Sequence, residues 1–306
     1  MNKTSTLTLV TGATGAQGGA TARELLSAGC PVRVLTRNPD ARAARDLASR
    51  GADIVRGDLD DHASLREAVA GAHAVFAVQV PDSAGTDAER RQGYALIDAA
   101  REARVQHFVQ TSVSEAGKHT SFPRWETGYW WQKYWTDKWD VEEAVRHAGF
   151  ARWTVLKPAF LMDNFAQPKA RFMFPHLQQG RIITALFPDT RMQLIAADDV
   201  GAFARASILD PESFDHRDID LAVEALTMTE VAATLSRVLG KRVEARSVSP
   251  QEAVAAGLFP GWVRSQEWTN EVGYRADIGA LARYGVHLTP FEEWIRRHVG
   301  EIVIDA

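Results

Sequence analysis

A glycine-rich turn between an apolar run and a helix-forming segment constrains the fold more than any other feature. The run Thr6 to Thr11 leads into Gly12-Ala13-Thr14-Gly15-Ala16-Gln17-Gly18, and apolar residues then recur at helical spacing from Gly18 to Ala28. In a strand–turn–helix unit such glycines allow a tight turn, close approach of backbone to a pyrophosphate and close helix–sheet packing. The helix N-terminus adds N–H donors and a positive dipole end. The turn therefore predicts a dinucleotide site formed by Gly12, Thr14, Gly15, Ala16, Gln17 and Gly18; the alternative is a structural turn without a ligand.

Strand-like and helix-like segments alternate along the first half of the chain. The predicted strands are Thr6 to Thr11, Val32 to Thr36, Asp53 to Val55, Ala74 to Val78, His107 to Thr111 and Trp153 to Leu156. Several of these runs are too uniformly apolar for a half-exposed sheet, which favours a buried parallel sheet. The clearest helices between them are Gly18 to Ala28 and Asp87 to Ala103. The alternation predicts an α/β fold of the Rossmann type, with a doubly wound parallel sheet.

The rhythm changes after Pro158, where prolines at 168, 175 and 188 interrupt the chain. We therefore expect a nucleotide-binding domain over residues 1–157, with a returning helix near 198–209. Residues 158–306 are expected to form a smaller α+β portion that binds the substrate or a partner. Its predicted helices run from Leu226 to Leu239 and from Leu288 to His298.

Composition excludes several classes of protein. The 306 residues are 45% hydrophobic, enough for a sizeable core, and their 35 basic and 39 acidic side chains include no dense basic tract. We therefore expect no direct contact with nucleic acid. The single cysteine, Cys30, and the scattered histidines give no metal-ligand spacing, so no metal is predicted. No apolar stretch is long enough to span a bilayer and no secretion signal opens the chain, so a cytoplasmic protein that does not enter membranes is expected.

The end of the second predicted strand indicates which dinucleotide is bound. An NAD-preferring site usually has Asp or Glu there, whereas this chain has Thr36-Arg37-Asn38. A guanidinium can bind a 2′-phosphate through paired charge-assisted hydrogen bonds, so Arg37 favours NADP(H) over NAD(H). A solvated surface arginine is the alternative. Asp58 and Leu59 are expected beside the adenine, although Asp58 is equally compatible with a loop cap; Val78, Pro158 and Phe160 complete the predicted cofactor set.

Several motifs in order along the chain resemble one family. They are Thr11 to Gly19, Val34-Leu35-Thr36-Arg37-Asn38-Pro39, Gly57-Asp58-Leu59-Asp60-Asp61, Lys138 with Val141-Glu142-Glu143, Lys157-Pro158-Ala159-Phe160 with Asp163-Asn164-Phe165, and Leu258-Phe259-Pro260-Gly261. Together they resemble the NmrA-like family of atypical short-chain dehydrogenases/reductases over essentially the whole chain. The resemblance implies either an NAD(P)H-dependent reductase of quinones and related compounds or a redox sensor that binds NADP(H) and regulates a protein partner.

One local difference favours the reductase. Members of the sensing type usually have His four residues before the lysine that matches Lys138, whereas this chain has Tyr134. Residues four apart lie on one face of a helix, so both side chains could face the nicotinamide ribose. We expect the ammonium to lower the pKa of Tyr134, which would make it a proton donor, while Lys138 holds the ribose hydroxyls. A packed tyrosine beside a surface lysine is the alternative.

Other side chains are candidates for the substrate site. Ser112 or Ser114, after the fifth strand, could orient a substrate carbonyl, or could cap local backbone. Tryptophans are dense between Trp125 and Trp139, which indicates helix packing, a subunit interface or an aromatic wall for a flat substrate. Trp131, Trp135, Phe160 and Asn164 are the predicted substrate contacts. The leading hypothesis is an NADPH-dependent oxidoreductase with a small-molecule substrate; a homodimer and a regulatory partner stay open, and a sensor would use the loop from Val80 to Gly85.

Overall fold

The structure is a computed structural model that describes residues 6–82 and 85–305. Its strands are β1 (Thr8–Val10), β2 (Val32–Thr36), β3 (Asp53–Arg56), β4 (Ala74–Ala77), β5 (His107–Thr111), β6 (Arg152–Pro158), β7 (Phe160–Leu161), β8 (Arg181–Thr184), β9 (Met192–Ile195), β10 (Arg217–Leu221), β11 (Glu224–Leu226) and β12 (Glu244–Ser247). Its helices are α1 (Ala16–Ser27), α2 (Arg42–Ser49), α3 (His62–Val69), α4 (Ala88–Glu102), α5 (Gln132–His147), α6 (Ala170–Met173), α7 (Ala197–Leu209), α8 (Met228–Leu239), α9 (Pro250–Ala255), α10 (Pro260–Glu271) and α11 (Phe291–Arg297).

A parallel sheet of seven strands, in the order β10-β6-β5-β4-β1-β2-β3, forms the centre of the fold. The predicted doubly wound α/β fold is confirmed. The strand order reverses between β1 and β4, and ligands of such sheets bind in the crevice outside the carboxyl ends of the strands at this point. Thr11 joins the two strand ends there, because its Oγ1 accepts a 3.0 Å hydrogen bond from the backbone N–H of Val78.

Helix α7 returns to pack against α1 on one face of the sheet. The contact is close because small residues meet: a Cβ atom on Gly201 would lie 2.7 Å from the carbonyl carbon of Ala20. On this face, fully buried side chains such as Leu25, Phe76 and Phe203 form one core. Helices α4 and α5 cover a second core on the other face, around Phe108. The sheet is therefore covered by helices on both faces, and the crevice lies at its carboxyl edge.

The seventh strand of the central sheet, β10, was not predicted. It pairs in parallel with β6 although it follows the segment expected to leave the nucleotide-binding domain. In its sequence, Arg217-Asp218-Ile219-Asp220-Leu221, Ile219 and Leu221 are buried, whereas the three charged residues are exposed or half-buried, which a strand at the edge of the sheet allows. The uniformly apolar pattern that identified the inner strands is therefore missing here.

The rest of the second half surrounds its own core. Two small sheets, β11-β9-β7 and β12-β8, pack with α8 to α11 around buried aromatic side chains that include Phe165, Phe291 and Trp294. Short 3₁₀ helices connect the elements at His119–Ser121, Trp125–Thr127, Met162–Phe165, Leu177–Gln179, Pro211–Ser213 and Gly279–Tyr284. Among the helices that the structure describes, none is long and apolar enough to cross a membrane.

Candidate functional site

The glycine turn brings backbone and helix so close together that side chains are excluded. Gly12 has a positive φ of 61°, and a Cβ atom there would lie 2.4 Å from Cγ1 of Val78. A Cβ atom on Gly18 would lie 2.5 Å from the carbonyl oxygens of Thr11 and Gly12. Gly15 is the N-cap of α1, and its N–H donates a 2.9 Å hydrogen bond to the Gly12 carbonyl. The glycines at 12 and 18 are thus required by the fold of the turn itself.

The first turn of α1 is suited to an anion. No side chain caps its N-terminus and no acidic residue lies in its first turn. Thr14 and Gly15 are exposed in front of the helix, while Ala16 and Gln17 are half-buried. Backbone N–H groups at an uncapped helix N-terminus bind phosphate well, so the residues present fit a pyrophosphate group.

Gln17 is also bound to the central sheet. Its Oε1 accepts a 2.6 Å hydrogen bond from Oγ1 of Thr111 at the end of β5. Beside it, Gln110 donates from Nε2 to the Thr111 carbonyl and to Oε1 of Gln79. These buried amides connect the helix start to the ends of β4 and β5, a link that no sequence pattern revealed.

Two arginines follow neighbouring strands at the far side of the turn. Arg37 follows β2, Arg56 ends β3, and both are exposed beside a cavity of about 490 Å³. Nη1 of Arg56 donates a 3.2 Å hydrogen bond to the Arg37 carbonyl, and neither guanidinium forms an ion pair within residues 6–82 and 85–305. Arg56 was missed, although a second basic residue at the end of the adjacent strand is visible in the sequence. The two guanidiniums could bind a phosphate on their side of the cavity, whereas Asp58, Asp61 and Glu67 make the rest of its lining acidic.

Asp58 and Leu59 have local structural roles at this cavity. Asp58 lines it, and its Oδ1 accepts a hydrogen bond from the Asp60 N–H at 3.1 Å, as the cap alternative expected. Leu59 is half-buried against the core under α3 and α4. A role of either residue beside the adenine stays a prediction.

Lys138 lies in a buried ion pair that the sequence did not reveal. Its Nζ lies 2.6 Å from Oε1 of Glu89 in the first turn of α4, and the two side chains are 8% and 6% exposed. The ammonium also lies over the ring of Tyr134, 5.0 Å from the ring centroid. Both helices follow parallel strands, so all three residues belong to the carboxyl edge of the sheet.

The expectation that the pKa of Tyr134 is lowered is wrong. Burial raises the pKa of Tyr134 well above the usual range of tyrosine, and the negative charge of Glu89 raises the pKa further. The carboxylate neutralises the ammonium, so the cation no longer stabilises a phenolate. Tyr134 is therefore protonated at neutral pH, and its hydroxyl has no hydrogen-bond partner among the described residues.

Ser112 and Ser114 are both buried. Oγ of Ser112 donates a 2.5 Å hydrogen bond to Oε1 of the fully buried Glu142. Glu142 also accepts from Lys157 at 3.2 Å and from Arg146 at 2.8 Å, so Ser112 belongs to a structural network. Oγ of Ser114 is buried without a partner in the described chain, which leaves Ser114 as the better candidate to meet a ligand.

The tryptophan-rich segment divides into packed and open parts. Trp125, Trp130 and Trp135 are buried with Phe122 and Trp268 in an aromatic cluster that joins the start of α5 to α10. The packing alternative accounts for these residues. Trp131, by contrast, is 39% exposed, and its ring lies 5.6 Å from that of Tyr134.

The other predicted contacts are scattered. Phe160 is 4% exposed and stacks on Trp262 at 5.1 Å, so its side chain fills the core of the second half of the chain rather than an open site. Asn164 is half-buried in a 3₁₀ turn, and Pro158 is buried at the end of β6. In the loop from Val80 to Gly85, residues 83 and 84 lie outside the described chain; Val80 is exposed.

The comparisons with known proteins identify the family. The model of the NmrA-like family matches residues 3–294. The chain belongs to the NmrA-like family. The resemblance inferred from the sequence motifs is thereby confirmed.

Two relatives and one solved structure are similar to this NmrA-like chain over most of its length. A (4-alkanoyl-5-oxo-2,5-dihydrofuran-3-yl)methyl phosphate reductase of Streptomyces griseus is 30% identical over 302 residues, 95% of this chain and 97% of the relative. An NAD(P)H azoreductase of Xenophilus azovorans is 31% identical over 256 residues, 81% of this chain and 79% of the relative. The structure of Citrobacter sp. triphenylmethane reductase with NADP(H) superimposes with a TM-score of 0.75 at 23% identity, covering 96% of this chain and 99% of that one; it shows the shared fold.

Proposed function

We propose that this NmrA-like protein is an NADPH-dependent reductase of a small, conjugated, electron-poor substrate. The observation that carries the proposal is the glycine turn before α1. Gly18 lies too close to Gly12 for any side chain, and no side chain caps the N-terminus of the helix that follows. A turn of this form at the point where the strand order reverses is the arrangement that binds dinucleotides.

The proposed cofactor contacts follow the carboxyl edge of the sheet. Backbone of Gly12 to Gly18 would hold the pyrophosphate, Arg37 and Arg56 the 2′-phosphate, and Lys138 the hydroxyls of the nicotinamide ribose. Bound NADPH supplies a hydride. The choice of NADP(H) agrees with the azoreductase, which is named for NAD(P)H, and with the triphenylmethane reductase, whose structure holds NADP(H).

Tyr134 is the proposed proton donor. The phenol is protonated at neutral pH, and its Oη can donate the proton to a substrate oxygen or nitrogen that becomes basic once the conjugated system has accepted hydride. Hydride and proton together complete a two-electron reduction. Ser114, whose hydroxyl is buried and unpartnered within the described chain, is the proposed residue that orients a polar group of the substrate.

The relatives indicate the class of substrate. One is named as reductase of an alkanoyl oxo-dihydrofuran phosphate and the other as an azoreductase. Hydride acceptors of both kinds are conjugated double bonds made electron-poor by their neighbours, as quinones also are. The exposed face of Trp131, next to Tyr134, is suited to stack on such a flat group.

NADPH oxidation, followed by absorbance, tests the proposal with quinones, unsaturated lactones, azo dyes, enones and aldehydes. We expect turnover with at least one conjugated acceptor and a large loss in Lys138→Met. Lys133→Met is the matched control, because Lys133 lies on the same helix and pairs with Asp137 at 2.9 Å. Tight NADPH binding without turnover across the panel would contradict the reductase and favour a redox sensor.

A further inference from the structure

The ion pair between Glu89 of α4 and Lys138 of α5 differs from two other ion pairs near it. Arg90 pairs with Asp140 at 3.1 Å, and Lys133 pairs with Asp137 at 2.9 Å. Their basic side chains are 37% and 31% exposed, so at least the cation of each pair is solvated, although Asp137 itself is 5% exposed. Glu89 and Lys138 are both below 10% exposure. Of these three pairs, the one between Glu89 and Lys138 alone has both side chains largely removed from water.

Desolvation makes such a pair a poor contributor to stability. Removing two charges from water costs about as much as their attraction returns, and packed apolar residues often serve stability equally well. The more exposed pair of Arg90 with Asp140 already connects α4 with α5. A purely structural reason for a buried carboxylate at position 89 is therefore weak.

The second oxygen of the carboxylate supplies the decisive observation. Oε1 of Glu89 accepts from Lys138, whereas Oε2 is buried and has no hydrogen-bond partner in the described residues. A buried carboxylate oxygen without a donor is costly, and a site that a ligand completes removes this cost when the ligand binds. Glu89 lies in the first turn of α4, at the same edge of the sheet as the glycine turn.

We propose that Glu89 is a positioning and ligand-binding residue: Oε1 fixes the Lys138 ammonium over the ring of Tyr134, and Oε2 accepts a hydrogen bond from a hydroxyl of the nicotinamide ribose. This inference rests on the proposed function, in which Lys138 holds that ribose. The ammonium then donates to the ribose while the carboxylate accepts from it, so the pair recognises a sugar hydroxyl as both donor and acceptor.

Binding measurements with two ligands test the inference without turnover. NADPH has both halves of the dinucleotide, whereas 2′,5′-ADP has only the adenosine half with its 2′-phosphate. In Glu89→Gln we expect the Kd of NADPH to rise by about tenfold or more, because a charge-assisted hydrogen bond is lost. The Kd of 2′,5′-ADP should stay unchanged. Glu89→Asp should recover part of the loss. Asp137→Asn, which removes a buried carboxylate from the next position to Lys138, should leave both constants unchanged.

The double variant Glu89→Gln/Lys138→Met separates positioning from an independent contact. If Glu89 acts largely through Lys138, the loss of NADPH affinity in the double variant should be smaller than the sum of the losses in the two single variants. Equal weakening of NADPH and 2′,5′-ADP, full additivity, or an unchanged NADPH Kd in Glu89→Gln would each overturn the inference. If the variants show the expected binding pattern but the wild type reduces no acceptor, the proposed reductase alone is overturned. If the wild type does not bind NADPH, both the reductase and this inference are overturned.

Discussion

Gly18 lies against Gly12 so closely that a Cβ atom at position 18 would come within 2.5 Å of the carbonyl carbon and oxygen of Gly12. The carbonyl of Thr11 is equally near, so backbone surrounds this position and no flexible side chain can move aside. The turn, the end of β1 and the start of α1 therefore depend on one another.

Replacing Gly18 should separate the helix from the turn. We expect Gly18→Ala to lower the free energy of unfolding by about 1–3 kcal/mol through overpacking, and to weaken NADPH binding by about tenfold or more because the amides lose their alignment. Chemical denaturation and fluorescence titration measure the two effects. Gly300→Ala is the control, since no heavy atom lies within 4 Å of a Cβ there. Wild-type affinity in Gly18→Ala would show that the turn does not bind the cofactor.

Arg37 and Arg56 should determine the preference for NADPH over NADH. We expect Arg37→Ala to weaken NADPH binding by about 10-fold to 100-fold, because a charge-assisted contact to the 2′-phosphate is lost, and Arg56→Ala to have a smaller effect. The Kd of NADH should change little in either variant. Arg42→Ala is the control, since that side chain is 93% exposed. Equal losses for NADPH and NADH in Arg37→Ala would exclude recognition of the 2′-phosphate.

Proton donation by Tyr134 should not make kcat depend on pH near neutrality. Because burial raises its pKa, the phenol stays protonated throughout this range. We expect kcat of Tyr134→Phe to fall by a constant factor, on the order of 10²-fold, between about pH 6 and pH 9. Tyr94→Phe, which changes an exposed tyrosine on α4, should retain wild-type kcat. A factor that disappears towards high pH would mean that Tyr134 titrates in this range.

Asp199 should make stability depend on pH through the contact of α7 with the C-terminal segment. Its carboxylate accepts hydrogen bonds from the N–H and Oγ1 of Thr289 at 2.9 and 2.8 Å, and burial raises its pKa to about 6. The folded state thus holds the proton more tightly than the unfolded state. The cost of ionisation grows as the pH rises from the unfolded pKa to the folded pKa, and is constant above it.

Asp199→Asn removes this cost. Between pH 4.5 and 7.5 its free energy of unfolding should gain about 2 kcal/mol relative to the wild type, measured by denaturation at each pH. Asp198→Asn changes a more exposed carboxylate and should show no such gain. A difference between Asp199→Asn and wild type that does not vary with pH would contradict the shifted pKa.

The inner sheet could be predicted because its residues are constrained by burial alone. Strands β1, β2, β4 and β5 are almost entirely buried, and the ends of each lie within two residues of the prediction. Edge strand β10 and short strands such as β7 have one open side or only two residues, and the sequence pattern is correspondingly weak.

The site could be predicted only where one local segment determines it. The glycine turn and the exposed Arg37 depend on their own strand and helix, so their placement follows from spacing. The partner of Lys138 is 49 residues away on another helix, and the partner of Ser112 is 30 residues away. Such contacts depend on how α4 and α5 pack over the sheet. For this reason the sign of the pKa shift at Tyr134 could not be obtained from the Tyr134 and Lys138 spacing.

Transfer of the hydride itself tests the central claim most directly. The protein is supplied with NADPH that carries two deuterium atoms at C4 of the nicotinamide and with the best acceptor from the panel, and the product is examined by mass spectrometry. If the account is correct, one deuterium appears in the product at a carbon-bound position, or, for acceptors reduced at nitrogen or oxygen, NADP⁺ forms in equal amount to the product. Product without consumption of NADPH, or consumption of NADPH without reduced product, would contradict it.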